Sequence, residues 1–172
     1  MKRWAAFAPL AVLAALALLF AGYALNHDPH VNPAALVGKP VPAVTLPRLD
    51  GGPPTALANT RGPILINFYA SWCAPCAEEH PALLALKAEG ASIIGVAYKD
   101  DPAKTGVFLK TLGDPFTMTL MDTNGRAGVE FGVSGVPETF AVGADGIILA
   151  KHSGPLTPDA AEDLLERAGR NR

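Results

Sequence analysis

The chain holds two cysteines, Cys73 and Cys76, with only Ala74 and Pro75 between them. This pair restricts the local architecture more than any other feature, because of what stands on either side of it. Ile64-Leu65-Ile66-Asn67-Phe68-Tyr69-Ala70 is a short apolar run with β-branched and aromatic members, the composition of a central strand. From Ala74 to about Glu89, Leu83, Leu84 and Leu86 mix with Glu78, Glu79, Lys87 and Glu89 at helical spacing, and Gly90 stands where a helix would stop. The cysteines therefore sit where a strand runs into a helix. A disulfide between them closes too short a loop to remove much unfolded-state entropy, so stapling explains the spacing poorly. Chemistry explains it better: the unpaired N–H groups and positive end of a helix stabilise a thiolate in its first turn. Cys73, exposed ahead of the helix body, is the attacking thiol. Cys76 points back into the fold and resolves the mixed disulfide formed at Cys73. Pro75 suits a helix start, where its missing N–H is not needed.

Downstream, strand and helix patterns alternate as in a parallel sheet: a strand over 92–98, a helix over 102–112, a strand over 116–121 and a short helical stretch over 123–131. Gly132 and Gly135 then bracket a loop. Strands over 139–142 and 147–152 flank Gly143-Ala144-Asp145-Gly146, whose Asp-Gly ending signals an antiparallel hairpin. Thr157 caps a last helix that has Pro158 at its first position and Ala161, Leu164, Leu165 and Ala168 on an apolar face.

Upstream, residues 4–25 carry no charge. At ~1.5 Å per helical residue this run reaches across a hydrocarbon core of ~30 Å, so it is expected to be a membrane anchor. Lys2 and Arg3 precede it, which leaves the N-terminus cytoplasmic and the folded part on the far side of the membrane. Ala21, Gly22 and Ala24 offer a cleavage site as the alternative, which would release the same domain into the same compartment. Residues 26–36 read as a polar, Pro-containing linker, and 37–172 as one domain. The formal net charge of -2, with no Lys/Arg run beyond Lys2 and Arg3, excludes a phosphate-binding face and with it a nucleic-acid partner.

A zinc site needs two further Cys or His ligands, and there is no third cysteine. His80 follows Cys76 by four residues, one helical turn along the same face, so a metallochaperone using Cys73, Cys76 and His80 is the alternative from another class. The plainer reading of His80 is a helix-surface residue beside Pro81.

Two segments carry a resemblance. Phe68-Tyr69-Ala70-Ser71-Trp72-Cys73-Ala74-Pro75-Cys76 resembles the active-site segment of thioredoxin-like proteins, and Gly135-Val136-Pro137-Glu138-Thr139-Phe140 resembles the proline loop that faces it. The resemblance implies a thioredoxin-like α/β fold: a mixed central sheet flanked by helices, with a hairpin at its N-terminal side and one transmembrane helix before it. It also implies a cis bond at Pro137, with Val136 and Pro137 lining the substrate groove. More narrowly, Leu36-Val37-Gly38-Lys39-Pro40, Val44-Thr45-Leu46-Pro47, Glu79-His80-Pro81, Tyr98-Lys99-Asp100 and Pro137-Glu138-Thr139-Phe140 are similar to the CcmG/DsbE proteins of cytochrome c biogenesis. That family implies a single-pass inner-membrane protein with a periplasmic domain. Its members reduce disulfides of apocytochrome c or of haem-ligation proteins, and take electrons from a membrane thiol reductase of the DsbD/CcdA type. It requires no cofactor and no metal beyond the redox-active Cys73-Cys76 pair. General extracytoplasmic reduction or oxidation is the alternative, since direction follows from potential.

The family pattern also places acidic groove residues at Glu79 and Glu138, which would disfavour a thiolate or move a proton. Their plain readings are a solvated helix residue and a strand-edge charge. Asn67 departs from the buried Asp of ordinary thioredoxin, and Ala77 from the Arg common in the narrower family. Trp72 is read as a shield and docking face beside the pair or as a cover for the core. Tyr98-Lys99-Asp100-Asp101 is read as a groove rim or an exposed loop.

Overall fold

The structure is a computed structural model and describes residues 7–26 and 36–169. It divides the chain into two units, Met1–Val31 and Asn32–Arg172.

The first unit contains α1 (Ala8–Asn26), whose Leu10, Leu13, Leu18, Leu19 and Phe20 side chains are exposed. Among the described residues no helix is long and apolar enough to cross a membrane. The span expected over 4–25 begins outside the described residues, and the linker expected over 26–36 lies almost wholly outside them.

In the second unit five strands form one sheet: β3 (Ile64–Tyr69), β4 (Ile93–Tyr98), β5 (Met118–Asp122), β6 (Glu138–Val142) and β7 (Ile148–Ser153). A separate antiparallel pair, β1 (Thr45–Leu46) and β2 (Thr55–Ala56), precedes them as the N-terminal hairpin. The five strands lie in the order β5-β4-β3-β6-β7. β3 runs parallel to β4 and β4 to β5, whereas β6 is antiparallel to both β3 and β7. The sheet is therefore mixed. All six residues of β3 are buried, as a strand covered on both faces requires.

Alternation along β3 assigns the two faces. Leu65 and Tyr69 belong to a cluster with residues of α2 (Ala74–Ala88), α3 (Pro102–Leu112) and α5 (Pro158–Gly169), including Leu83, Leu109 and Leu164. Ile64, Ile66 and Phe68 belong to the opposite cluster, with Val44, Leu57 and Phe131. Phe131 ends α4 (Arg126–Glu130) and packs against Phe68 and Phe140 at centroid separations of 5.0 and 5.2 Å.

Two boundaries differ from the sequence reading for identifiable reasons. The Asp114 carboxylate accepts the Phe116 N–H at 2.9 Å and makes a turn there, so β5 begins only at Met118. The helical stretch expected over 123–131 shrinks to α4, because Gly125 holds a left-handed φ of 76° just ahead of it. The buried Asp122 carboxylate caps α4 from outside, accepting the Ala127 and Gly128 N–H groups. Thr157 caps α5 as its sequence indicates, with the Ala160 N–H donating to Thr157 Oγ1 at 3.3 Å.

Candidate active site

β3 ends at Tyr69, and the chain turns through Ser71 and Trp72 into α2. Cys73 is the N-cap of α2, in extended conformation, and its sulfur accepts the Cys76 N–H at 3.2 Å. Pro75 occupies the first turn, where no helical N–H is lost. Cys73 and Cys76 are joined as a disulfide. Across from the pair the Val136–Pro137 bond is cis, and the Val136 carbonyl oxygen lies 3.5 Å from Cys73 Sγ. That close approach corrects the expectation of an exposed attacking thiol: Cys73 is 6% exposed, against 1% for Cys76. It remains the more accessible of the two.

Trp72 does not cover the core, since it is 60% exposed; its Nε1–H donates to the Lys99 carbonyl at 3.2 Å. The turn is fastened by Asp100. Its carboxylate accepts the Ser71 N–H and hydroxyl at 2.6 and 2.8 Å, and the Thr105 hydroxyl at 2.9 Å. Asp100 is thus a buried pin rather than part of an exposed loop. Asp101 beside it is exposed and caps α3 through the Ala103 and Lys104 N–H groups. The sequence reading of 98–101 as a groove rim or exposed loop did not separate the two acids, of which Asp100 turns inward and Asp101 stays outside as a cap.

Glu79 is 1% exposed, which corrects its reading as a solvated helix residue. It lies one turn after Cys76 in α2, on the same side of the helix. The Asn67 Nδ2–H donates to Glu79 Oε1 at 2.8 Å and the Leu156 N–H donates to Glu79 Oε2 at 2.9 Å. Burial pushes the carboxyl up to about 7, with these two donors partly opposing it. Asn67, at the position of the buried Asp of thioredoxin, also donates to Thr139 Oγ1 at 3.0 Å; its Oδ1 meets no partner among the described residues. A carboxyl from the neighbouring helix, that of Glu79, thus stands against Asn67.

Glu138 is also 1% exposed, and β6 lies between β3 and β7, so it is not a strand-edge charge. It pairs in register with Phe68, which sends its side chain to the face opposite Glu79. One carboxylate oxygen accepts the Ser134 N–H, the Ser134 hydroxyl and the Ser153 hydroxyl. The other meets Lys151 Nζ at 2.8 Å, and Lys151 also donates to the Gly132 carbonyl at 3.2 Å. The pair ties the loop that carries Val136 and Pro137 to β7.

His80 is buried, not on the helix surface. Its Nε2 lies 2.7 Å from the Gly113 carbonyl oxygen, and its ring stands edge-on to Phe108 and Phe116. No group of three or more His, Cys, Asp or Glu able to hold a metal occurs among the described residues.

What this junction can do is exchange disulfides: a helix terminus stabilises one sulfur as a thiolate, a second sulfur stands ready to resolve, and the proline loop faces both. The class of protein so defined is a thiol-disulfide oxidoreductase on a thioredoxin-like fold. The chain belongs to the Redoxin family, whose model matches residues 36–166. It is similar to the thiol:disulfide interchange protein HelX of Rhodobacter capsulatus, 46% identical over 164 residues, covering 93% of this chain and 92% of that protein. It is 41% identical over 173 residues to the thiol:disulfide interchange protein DsbE of Escherichia coli K12, covering 96% and 94% of the two chains. Among solved structures, the thio-disulfide isomerase of Thermus thermophilus superposes with a TM-score of 0.65 at 28% identity, covering 81% of this chain and 98% of that one.

Proposed function

We propose that this protein is an extracytoplasmic disulfide reductant of cytochrome c maturation, held to the inner membrane by residues 4–25 with its redox domain in the periplasm. The observation that carries the reducing direction is Glu79, a buried carboxyl one helical turn from Cys76. A carboxylate there disfavours a thiolate and opposes the strong thiolate stabilisation that turns a dithiol protein into an oxidant. When neutral, the same group holds a proton one helical turn from Cys76. Glu138 acts by holding the proline loop, while Trp72, Val136 and Pro137 form the surface a substrate meets. Cys73 attacks, Cys76 resolves, and no cofactor is needed.

The resemblance to the CcmG/DsbE proteins and the similarity to the relatives DsbE and HelX support the pathway. On this reading the acceptors are disulfides of apocytochrome c or of haem-ligation proteins. The donor is a membrane thiol reductase of the DsbD/CcdA type.

The test is the equilibrium potential of the Cys73/Cys76 couple, read by thiol trapping of the full chain in detergent and graded dithiol buffers. The reductant requires a value between about -270 and -200 mV, whereas one near about -120 mV makes the protein an oxidase and ends the maturation role. The variant C76S separates acceptors from donors: it accumulates covalent adducts at Cys73 with whichever disulfide the thiolate attacks.

A further inference from the structure

Asn67 stands in the middle of β3, wholly buried, and meets Glu79 from the sheet side. Its Nδ2 donates twice, to Glu79 Oε1 at 2.8 Å and to Thr139 Oγ1 at 3.0 Å. Its Oδ1 is buried without a donor among the described residues. Most buried amide oxygens are paired, so a bare one asks for a reason. The arrangement is the one a carboxylate requires, with a donor aimed at each of its oxygens.

Glu79 is not always a carboxylate. Burial holds its carboxyl up to about 7, so both forms occur near neutrality. In the acid form one oxygen carries a hydrogen. Oε2 already accepts the Leu156 N–H, a backbone donor that cannot turn away, so the proton belongs on Oε1. There it meets the Asn67 Nδ2–H, donor against donor. A half-turn about χ2 removes the conflict: it exchanges the amide oxygen and nitrogen in nearly the same volume and leaves the packed core as it was. After the turn Oδ1 accepts the Glu79 Oε1–H. The Thr139 hydroxyl, which both donates and accepts, then donates to the same oxygen. One end of the amide is bare in either orientation, so the contact with Glu79 decides between them.

We propose that Asn67 is a positioning residue with two settings, its amide giving Nδ2–H to the Glu79 carboxylate and Oδ1 to the Glu79 carboxylic acid, so that this buried group one turn from Cys76 has a partner in both protonation states. The inference deepens the role given to Glu79 and rests on that reading, but not on the direction in which electrons flow.

Other titratable groups stand on the surrounding elements. Cys76 lies one turn before Glu79 on α2 and does not titrate while it is in the disulfide. His152 of β7 is half-buried and in register with Thr139 on the same face of the sheet, its Nε2 3.3 Å from the Pro155 carbonyl oxygen. Asp159, Glu162, Asp163, Glu166 and Arg167 of α5, which packs against α2, are exposed. Glu138 and Lys151 are on the opposite face.

Nuclear magnetic resonance of the full chain in detergent tests this in the disulfide form, with isotope labels in the asparagine side-chain amides and the glutamate carboxyl carbons. At high pH both Asn67 amide hydrogens are expected downfield, bonded to Glu79 and Thr139, with a cross-peak to the Thr139 methyl group. As pH falls both are expected to move upfield together and the cross-peak to disappear, with the midpoint of the Glu79 carboxyl carbon, about 7. In E79Q the side-chain oxygen stays with the Leu156 N–H and the nitrogen faces Asn67, so the low-pH signal is expected at every pH. In H152Q the titration is expected to persist. An amide that keeps its shifts and its cross-peak while the Glu79 carbon titrates overturns the inference, a result the unmodified protein alone can give should E79Q fail to fold. A titration retained in E79Q, or lost in H152Q, overturns it as well. The potential of the cysteine couple is a separate reading: an oxidant's potential beside a turning amide ends the reductant role and leaves this inference standing, and a fixed amide beside a reductant's potential does the reverse.

Discussion

Glu79 has two donors aimed at its carboxyl group, Asn67 Nδ2–H and the Leu156 N–H, yet burial keeps it protonated up to about 7. Raised above the ordinary 4.5, such a group holds its proton in the folded protein over a range where the unfolded chain has lost it. Folding then takes up a proton, and stability falls as pH rises from about 4.5 to about 7, by at most ~3 kcal/mol, and levels off above. E79Q removes the titration. Urea midpoints of the disulfide form at pH 5 and pH 8 should lie closer together in E79Q than in the unmodified protein; an unchanged difference would rule out Glu79 as the titrating group. The variant also carries a constant penalty of about 1–3 kcal/mol, because the two donors address different carboxylate oxygens and the amide nitrogen that replaces one of them cannot accept. Sequence located Glu79 on the helix that begins at the cysteines but could not place it inside. Its partners Asn67 and Leu156 are 12 and 77 residues away, distances over which helical periodicity says nothing.

Between elements, the Glu138–Lys151 pair joins β6 to β7 and, through Ser134 and Gly132, holds the loop that carries Pro137. Removing one member of a buried pair strands the other charge, so K151M and E138M alone should each cost about 3–5 kcal/mol. The double variant E138M/K151M should cost clearly less than their sum, because no unpaired charge remains. A double-mutant cycle of urea midpoints measures this, and additive losses would show that the two side chains act independently. The β6–β7 hairpin itself was readable from Asp145-Gly146 between two apolar runs. That an acid and a lysine would face one another across it was not, because pairing depends on register, and a one-residue slip of β7 would turn Lys151 to the face opposite Glu138.

At the scale of the whole molecule, the proposed anchor makes a direct prediction. The full chain should sediment with membranes and resist carbonate extraction, whereas a chain beginning at residue 36 should stay in the supernatant; release of the full chain by carbonate would remove the anchor from the proposal. The exposed leucines of α1 are what a lipid environment would cover. Within the folded unit, local sequence sufficed for the strand–helix junction at Cys73, the alternation of strands and helices, the hairpin and the cap at Thr157. Each depends on residues a few positions apart, where spacing and turn chemistry act without the rest of the chain. Which polar side chains went inside, and with whom, came from the assembled fold: Asn67 and Glu79 together, Asp100 on Ser71, His80 on Gly113. It also decided that the space between α2 and α3 would be left open and apolar beside the reactive sulfur. These outcomes depend on segments meeting across the sheet, where burial makes each polar group find a partner and leaves a groove wherever no side chain fills the gap.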